Sequence, residues 1–237
     1  MGYGTSAGFP APYGTRNILA QNTRAFAPVG APIAISQTIG NLLGNPALKP
    51  ERQTEIEFGA EATLFNGRLS VDLSVYNRGV TDLITNLPLD PATGFTVTRD
   101  NIGSLETKGV DLVLSGVLVK TNSGITWDAV LNFGRYRSVI TELGDDLEEV
   151  VFSGFTNLGN FAIPGKPYGT IKGIGIERNE NGEKIVLPNG RYKETAAIVE
   201  LGDPNPDFTS SIINNVSYKN FRLSFMFEYR HGGVIVS

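Results

Sequence analysis

The chain contains no cysteine, a single histidine and no long apolar run, and each of these scarcities excludes a class of protein. Without cysteine there can be neither a disulfide scaffold nor a thiolate metal site. A single histidine, His231, cannot form a histidine-based metal cluster. The lack of any run of roughly 18 apolar residues excludes a transmembrane helix. No basic run stands out and the net charge is -4, so nucleic acid is not expected as a partner.

Glycine and proline are abundant, with 28 and 13 residues, as in proteins built from many strands and turns. The clearest periodicity lies between Thr54 and Tyr76, on either side of Asn66-Gly67, a pair that tolerates the positive φ of a tight turn. Apolar residues occupy alternate positions there: Ile56, Phe58, Ala60, Ala62, Leu64, Leu69, Val71, Leu73 and Val75. The residues between them are mostly polar, so the sequence predicts a β-hairpin with one apolar and one polar face.

Two further hairpins follow the same rule, over residues 107–134 and 208–230, with tight turns predicted at Thr121–Gly124 and Lys219-Asn220. Segments of roughly 20 to 70 residues connect the hairpins, and one of them contains a candidate small hairpin around Asn179–Gly182. Each arm has about the ten residues that a bilayer-spanning strand needs. Short turns at one end and long loops at the other are typical of outer-membrane barrels. A soluble antiparallel sandwich would alternate in the same way and stays open as an alternative.

The polar face of the predicted arms carries repeated carboxylates: Glu55, Glu57, Glu61, Asp72, Asp111 and Asp128. Charges on that face require water or a folded plug inside, which predicts a wide barrel. Aromatic residues near the arm ends indicate interfacial girdles, and they are Phe65, Tyr76, Tyr136, Tyr218 and Tyr229.

Motifs for catalysis and ligand binding are weak. Gly4–Gly8 matches G-x-S-x-G but has no room for the strand that precedes a nucleophile elbow, and prolines follow it. Gly173-Ile174-Gly175 lacks the third glycine and the lysine of a phosphate loop. The acidic pairs Asp145-Asp146 and Glu148-Glu149 lack the spacing of a calcium loop, and His231 is interpreted as a rim residue. The sequence therefore gives no catalytic, cofactor-binding or metal residue, and a non-enzymatic protein is predicted.

A set of short motifs lies at the boundaries of the predicted arms. They are Asn45-Pro46 with Leu48-Lys49-Pro50-Glu51, Phe65-Asn66-Gly67-Arg68-Leu69, Tyr76-Asn77-Arg78, Asp82-Leu83-Ile84, Asn101-Ile102-Gly103, Glu106-Thr107-Lys108-Gly109-Val110-Asp111, Pro164–Gly169, Gly202–Phe208 and Tyr229–Gly233. Together they resemble the barrel of TonB-dependent outer-membrane receptors, and the later ones resemble the SusC/RagA branch. The resemblance covers roughly residues 40–233.

The resemblance implies the import of oligosaccharides or peptides across the outer membrane of a Bacteroidetes-type bacterium. It implies energy from the TonB complex and a SusD-like surface lipoprotein as partner, with outer-membrane lipid around the barrel and no cofactor. The alternative is a self-contained extracellular module that binds glycans or acts as an adhesin.

Residues 1–237 are accordingly predicted to be part of a single all-β domain, an antiparallel transmembrane β-barrel of which this chain supplies a fragment. Residues 1–44 are predicted as an extracellular loop-like segment with only a short strand at Ile33–Ile39, and residues 45–237 as barrel strands and loops. We expect the plug domain and the final strands to lie outside this sequence.

Overall fold

The computed structural model describes residues 1–22, 36–144 and 147–236. Within these residues the chain forms sixteen strands and one 3₁₀ turn at Pro91–Thr93. The strands are β1 (Gly2–Gly8), β2 (Leu19–Asn22), β3 (Ser36–Ile39), β4 (Leu42–Leu43), β5 (Glu51–Leu64), β6 (Leu69–Thr81), β7 (Ile84–Pro88), β8 (Val97–Asn101), β9 (Gly103–Lys120), β10 (Ile125–Leu143), β11 (Val150–Phe155), β12 (Leu158–Ala162), β13 (Thr170–Ile176), β14 (Glu194–Gly202), β15 (Phe208–Tyr218) and β16 (Phe221–His231).

No helix in the described part of the chain is long and apolar enough to cross a membrane.

Seven strands form the main sheet, in the order β1-β5-β6-β9-β10-β15-β16, and every neighbouring pair is antiparallel. The three predicted hairpins are confirmed as β5–β6, β9–β10 and β15–β16. Their arms are longer than the alternation alone indicated, up to 18 and 19 residues in β9 and β10. All three tight turns lie at one end of the sheet, and the long connections lie at the other.

The first tight turn is a four-residue loop, Phe65–Arg68, rather than the two-residue turn that the Asn-Gly pair suggests, since Leu64 pairs with Leu69. Phe65, Asn66 and Gly67 all have positive φ, at 53°, 55° and 84°. Asparagine and glycine adopt this region readily, whereas a phenylalanine rarely does. The loop is closed by the backbone N–H of Arg68, which donates to the Phe65 carbonyl at 3.3 Å.

The prediction that residues 1–44 are loop is wrong for Gly2–Gly8. These residues form β1, which pairs along its full length with β5, from Gly2 opposite Glu57 to Gly8 opposite Glu51. The segment Gly-Tyr-Gly-Thr-Ser-Ala-Gly has no apolar alternation, so its strand conformation depends on backbone pairing with a long neighbour. Of the predicted strand at Ile33–Ile39, Ser36–Ile39 is β3 and the rest lies outside the described residues.

Three small sheets occupy the loop end. β11–β14 form a four-stranded sheet, β4, β8 and β7 form a three-stranded sheet, and β2 pairs with β3. The buried apolar core lies at the same end, where the loop ends of β9 and β10 pack against the loops. It consists of Ile102, Ile140, Leu143, Val150 and Ala162. The predicted hairpin around Asn179–Gly182 is present, with the N–H of Gly182 donating to the Asn179 carbonyl at 2.9 Å.

Candidate functional site

The main sheet has one polar and one apolar face, because directly opposite residues of an antiparallel pair project from the same side. The six predicted carboxylates, Glu55, Glu57, Glu61, Asp72, Asp111 and Asp128, all lie on the polar face by register. Arg78 Nε contacts Glu55 Oε2 at 2.5 Å, and Ser74 donates to Glu57 at 2.6 Å. Glu61 lies directly opposite Asp72. Two like charges are tolerated side by side only where water reaches them.

Two of the tyrosines predicted to form interfacial girdles lie on this polar face instead. Tyr76 and Tyr136 flank Gly109 on the two neighbouring strands. The Tyr76 ring lies over the glycine, and a Cβ atom built on Gly109 would come within 2.2 Å of that ring. The girdle interpretation is therefore wrong for Tyr76 and Tyr136. Their positions in sequence are near the arm ends, but their register parity places them with the carboxylates.

The opposite face is apolar across the sheet. One cross-strand row joins Ala60, Leu73, Leu112, Phe133 and Tyr229, with Ser210 between the last two. On the same face of β16, Phe227 is 65% exposed and Phe221 is 79% exposed. Ile56 to Leu64 span roughly 27 Å along the strand, or roughly 20 Å along the membrane normal at the usual tilt. That is close to the apolar band of about 25 Å of outer-membrane barrels. We call this face the apolar belt.

Aromatic and polar residues border the apolar belt at both ends. At the turn end, the only tryptophan, Trp127, donates from its indole N–H to the side chain of the buried Asn214 at 3.1 Å. At the loop end, the ring of Phe208 packs against His231 and Tyr229, with centroids 5.3 and 5.9 Å apart. An amphipathic ring suits a membrane interface, because one end is apolar and the other is wet.

The loops are tied to the strand ends by the Asn45-Pro46, Lys49-Pro50-Glu51 and Asn101-Ile102-Gly103 motifs. The Asn101 side chain accepts from the Lys49 N–H at 2.8 Å and donates to the carbonyls of Lys49 and Asp82 at 2.9 and 2.7 Å. Asn45 donates to Asp100 at 3.0 Å, and Glu51 accepts from the Ile84 N–H at 2.7 Å. We call these contacts the first loop clamp. Three segments far apart in the sequence, residues 45–51, 82–84 and 100–101, therefore meet at one junction.

A second loop clamp joins the motifs Pro164–Gly169 and Gly202–Phe208 to β10. The Tyr168 N–H donates to the Ser138 carbonyl at 2.9 Å, and the Asn205 side chain donates to the Tyr168 carbonyl at 3.1 Å. The Tyr168 ring stacks on Phe152 at 4.7 Å. Burial, with a smaller contribution from the nearby Glu51 carboxylate, raises the pKa of the Tyr168 hydroxyl above its ordinary value.

The weak motifs do not assemble into a catalytic site in the described residues. Gly4–Gly8 is part of β1, an extended edge strand with no turn at the serine. His231 contacts the Tyr229 hydroxyl at 3.2 Å and lies 3.8 Å from the Asp207 carboxylate, at the rim of the apolar belt. Glu149 forms an ion pair with Lys172, while Asp145 and Asp146 lie outside the described residues. Within the described ranges, no three acidic, histidine or cysteine side chains are grouped as metal ligands.

Long antiparallel strands with a lipid-compatible outer face, a hydrated inner face and asymmetric connections define the wall of a transmembrane β-barrel. The sheet is not closed within this chain, because β1 and β16 are its edges. A family profile described as "TonB dependent receptor-like, beta-barrel" matches residues 2–232. The chain belongs to this family of TonB-dependent receptors.

Comparisons with individual proteins agree with that assignment. TonB-dependent receptors P3 and P26 of Formosa agariphila are 29% and 28% identical to the chain, over 90% and 94% of its length. The chain spans only about a quarter of the length of these relatives, 24% of each. Among solved structures, the RagAB peptide importer in its "closed-closed" state is similar, with a TM-score of 0.73, 24% identity and coverage of 96% of this chain and 26% of that one. The "open-open" state gives a TM-score of 0.69 at 23% identity, over 96% of this chain and 25% of that one.

Proposed function

We propose that the chain is part of the barrel wall of an outer-membrane receptor that imports oligosaccharides or peptides with energy from the TonB complex. The observation that carries the proposal is the division of one sheet into the apolar belt and a hydrated face rich in carboxylates. A soluble sandwich would cover its apolar face with a second sheet. Here the apolar side chains of β16, such as Phe227, stay exposed.

The unclosed sheet supports the view that the remaining strands belong to the same receptor. An open edge in lipid leaves backbone N–H and C=O groups without partners, so membrane-spanning sheets close into barrels. Six or seven strands give too narrow a cylinder to hold the charged polar face and its water. We therefore propose a wide barrel of which the main sheet is one sector, with a plug inside it.

The loop end is the side proposed to face outward, because short turns are periplasmic and long loops extracellular in bacterial barrels. The two loop clamps hold the small sheets above the strand ends, where a SusD-like lipoprotein is the proposed partner. The likeness to RagAB, described as a peptide importer, supports import of a large substrate. At 24% identity it establishes the fold only, so oligosaccharides and peptides both stay in the proposal.

The test is to delete the whole receptor gene in its native host and to measure uptake of fluorescently labelled oligosaccharides and peptides. A second strain should lack TonB. We expect uptake of one substrate class to be lost in both strains, and restored by the receptor gene only where TonB is present. Uptake that is unchanged by either deletion would contradict the proposal.

A further inference from the structure

A groove on the polar face crosses β10, β15 and β16 near the loop end. It is a cavity of about 250 Å³, and the residues that line it include Asn132, Gly134, Thr209, Ser211, Met226 and Glu228. Register places these side chains together, since Ser211 lies opposite both Asn132 and Glu228, and Thr209 lies opposite Gly134. We call this cavity the Gly134 groove.

Gly134 forms the floor of the groove. A Cβ atom built on it would lie 3.1 Å from Asp111 Oδ1 and 3.7 Å from Thr209 Oγ1, so a larger residue would crowd the carboxylate and fill the groove. Tyr136 is the next residue of β10 on the same face, and it is 44% exposed. The bare backbone at Gly134 therefore lies open between a carboxylate, a hydroxyl and an aromatic ring, and a ligand can approach it closely.

The polar groups around the groove offer both donors and acceptors. Asn132 donates from its side-chain amide to Ser211 Oγ at 3.1 Å, and the Ser211 hydroxyl is itself a donor as well as an acceptor. The carboxylates of Asp111 and Glu228 are exposed, and neither takes part in any of the ion pairs between described residues. Both remain free to accept hydrogen bonds from a ligand.

The spacing of the two carboxylates indicates what kind of ligand suits them. Asp111 is on β9 and Glu228 is on β16, with β10 and β15 between them. Three interstrand spacings of about 4.8 Å put the two residues roughly 14 Å apart across the sheet. A single ammonium or guanidinium group, such as the end of one basic side chain of a peptide, reaches only one of them. A ligand that carries hydroxyl groups along its length reaches both.

We propose that the Gly134 groove binds a neutral oligosaccharide. This rests on the proposed function, since it requires the polar face to line the path of an imported substrate. Every sugar hydroxyl both donates and accepts, so it can bond to a carboxylate, an amide or a serine in turn. The C–H groups of a sugar ring suit the electron-rich face of Tyr136. The free carboxylates of Asp111 and Glu228 repel acidic sugars, which restricts the ligand to neutral ones.

The experiment uses the whole receptor in phosphatidylcholine nanodiscs. It is exposed to an array of neutral and acidic oligosaccharides and to a library of short peptides, and the dissociation constant of the best-bound compound is measured by calorimetry. The test variant is D111A. The matched control is D128A, which removes a carboxylate from the same face at the turn end. Loss of a hydrogen bond to a charged group weakens binding about 10- to 100-fold, so we expect that loss in D111A and no change in D128A.

A second variant fills the groove without removing a polar group. G134V should weaken binding of the same oligosaccharide at least about tenfold, because its side chain occupies the floor. G59V is the control, since it places the same side chain on the polar face of β5, where a Cβ atom meets only ordinary contacts. Insertion of each variant is checked separately by the change in electrophoretic migration on heating.

The outcomes separate the groove from the proposed function. We expect the best-bound compound to be a neutral oligosaccharide. A best-bound peptide or acidic oligosaccharide, an array on which no oligosaccharide is bound, or unchanged affinity in an inserted D111A or G134V would overturn the proposal. If TonB-dependent uptake of peptides is then found, only the oligosaccharide site fails. Uptake of both substrate classes that is unchanged by deletion of the receptor gene would refute the proposed function itself.

Discussion

Gly109 is the residue over which the Tyr76 ring lies on the polar face. Because glycine has no side chain, the Tyr76 ring can reach across β9, and Tyr136 lies on the other side of Gly109. An aromatic ring laid over a glycine on the neighbouring strand is a known way of pinning register in a sheet. Tyr76 thus holds β6 and β9 together while its ring stays close to the barrel wall.

We expect Gly109→Ala to destabilise the receptor by about 1–3 kcal/mol, because the added methyl group overlaps the Tyr76 ring and forces it away. The measurement is the midpoint of thermal unfolding of the whole receptor in detergent. In a Tyr76→Ala background, Gly109→Ala should cost little further stability, because the ring that the methyl group overlaps is no longer there.

Gly59→Ala is the matched control, because a Cβ atom there meets only ordinary contacts on the same polar face, 3.6 Å from Ser74 Oγ. Equal destabilisation by the two glycine substitutions would show that the ring contact is not the cause.

Asn101 connects three segments through one side chain, from the end of β8. Its amide reaches the backbone of Lys49 in both directions and the carbonyl of Asp82. A buried or partly buried amide that satisfies backbone groups is costly to remove, since its partners lose their hydrogen bonds as well.

We expect Asn101→Ala to release residues 45–50 from the strand ends, with a local loss of about 1–3 kcal/mol. Amide hydrogen exchange of the whole receptor measures this directly, and the N–H of Lys49 should exchange faster while the belt strands stay protected. The control is Asn86→Ala, which removes a single longer hydrogen bond, 3.3 Å from Arg99 Nε. An unchanged exchange rate of the Lys49 N–H in the Asn101→Ala variant would show that the first loop clamp does not anchor residues 45–50.

At the scale of an element, β9 presents one face to the apolar belt and the other to the polar face. Leu112 lies in the row of Leu73 and Phe133 on the apolar belt, and the next residue, Val113, lies opposite Asp72 on the polar face. The two side chains are similar in size and adjacent in sequence. Only the parity of the register separates them.

We expect Leu112→Lys to impair insertion of the receptor by about 2–4 kcal/mol, because it places a charge against lipid near the middle of the belt. Val113→Lys should be tolerated, since its charge enters the hydrated interior beside Asp72. Heat-modifiable migration after reconstitution measures both. If the two variants insert equally well, the assignment of the faces is wrong.

The sequence predicted the elements whose side chains alternate and missed those whose stability comes from pairing. Six strands were predicted because apolar and polar residues alternate along them: β5, β6, β9, β10, β15 and β16. β1 was missed because glycine and small residues give no face, and β11–β14 because short strands separated by turns carry too few alternations.

The sequence predicted which carboxylates share the polar face, but it did not predict the hydrogen bonds that join distant motifs. Parity placed the six carboxylates on one face correctly, but position near an arm end misplaced Tyr76 and Tyr136. The motifs around Asn45 and Asn101 marked the family, yet no local pattern shows that residues more than fifty positions apart share hydrogen bonds. Long-range partners of that kind are visible only once the strands are in register.

At the scale of the whole molecule, the two free edges of the main sheet determine whether the chain can insert into a membrane. We expect residues 1–237 expressed alone to fail to insert and to aggregate, since the apolar belt and the edges of β1 and β16 are both uncovered. The whole receptor, refolded in the same detergent and lipid, should give the heat-modifiable form. A monomeric, inserted 237-residue chain would contradict the need for further strands.

The continuity of β9 and β10 has a mechanical consequence. The two antiparallel strands extend from the turn end of the belt, with two register irregularities, into the buried core beneath the loops, where Gly103 lies opposite Leu143. A pull on the loops along this hairpin would load its hydrogen bonds to the neighbouring strands β6 and β15 together, in shear, rather than one after another. A force applied by a protein that docks on the loops would therefore be transmitted through the β9–β10 hairpin to the barrel wall.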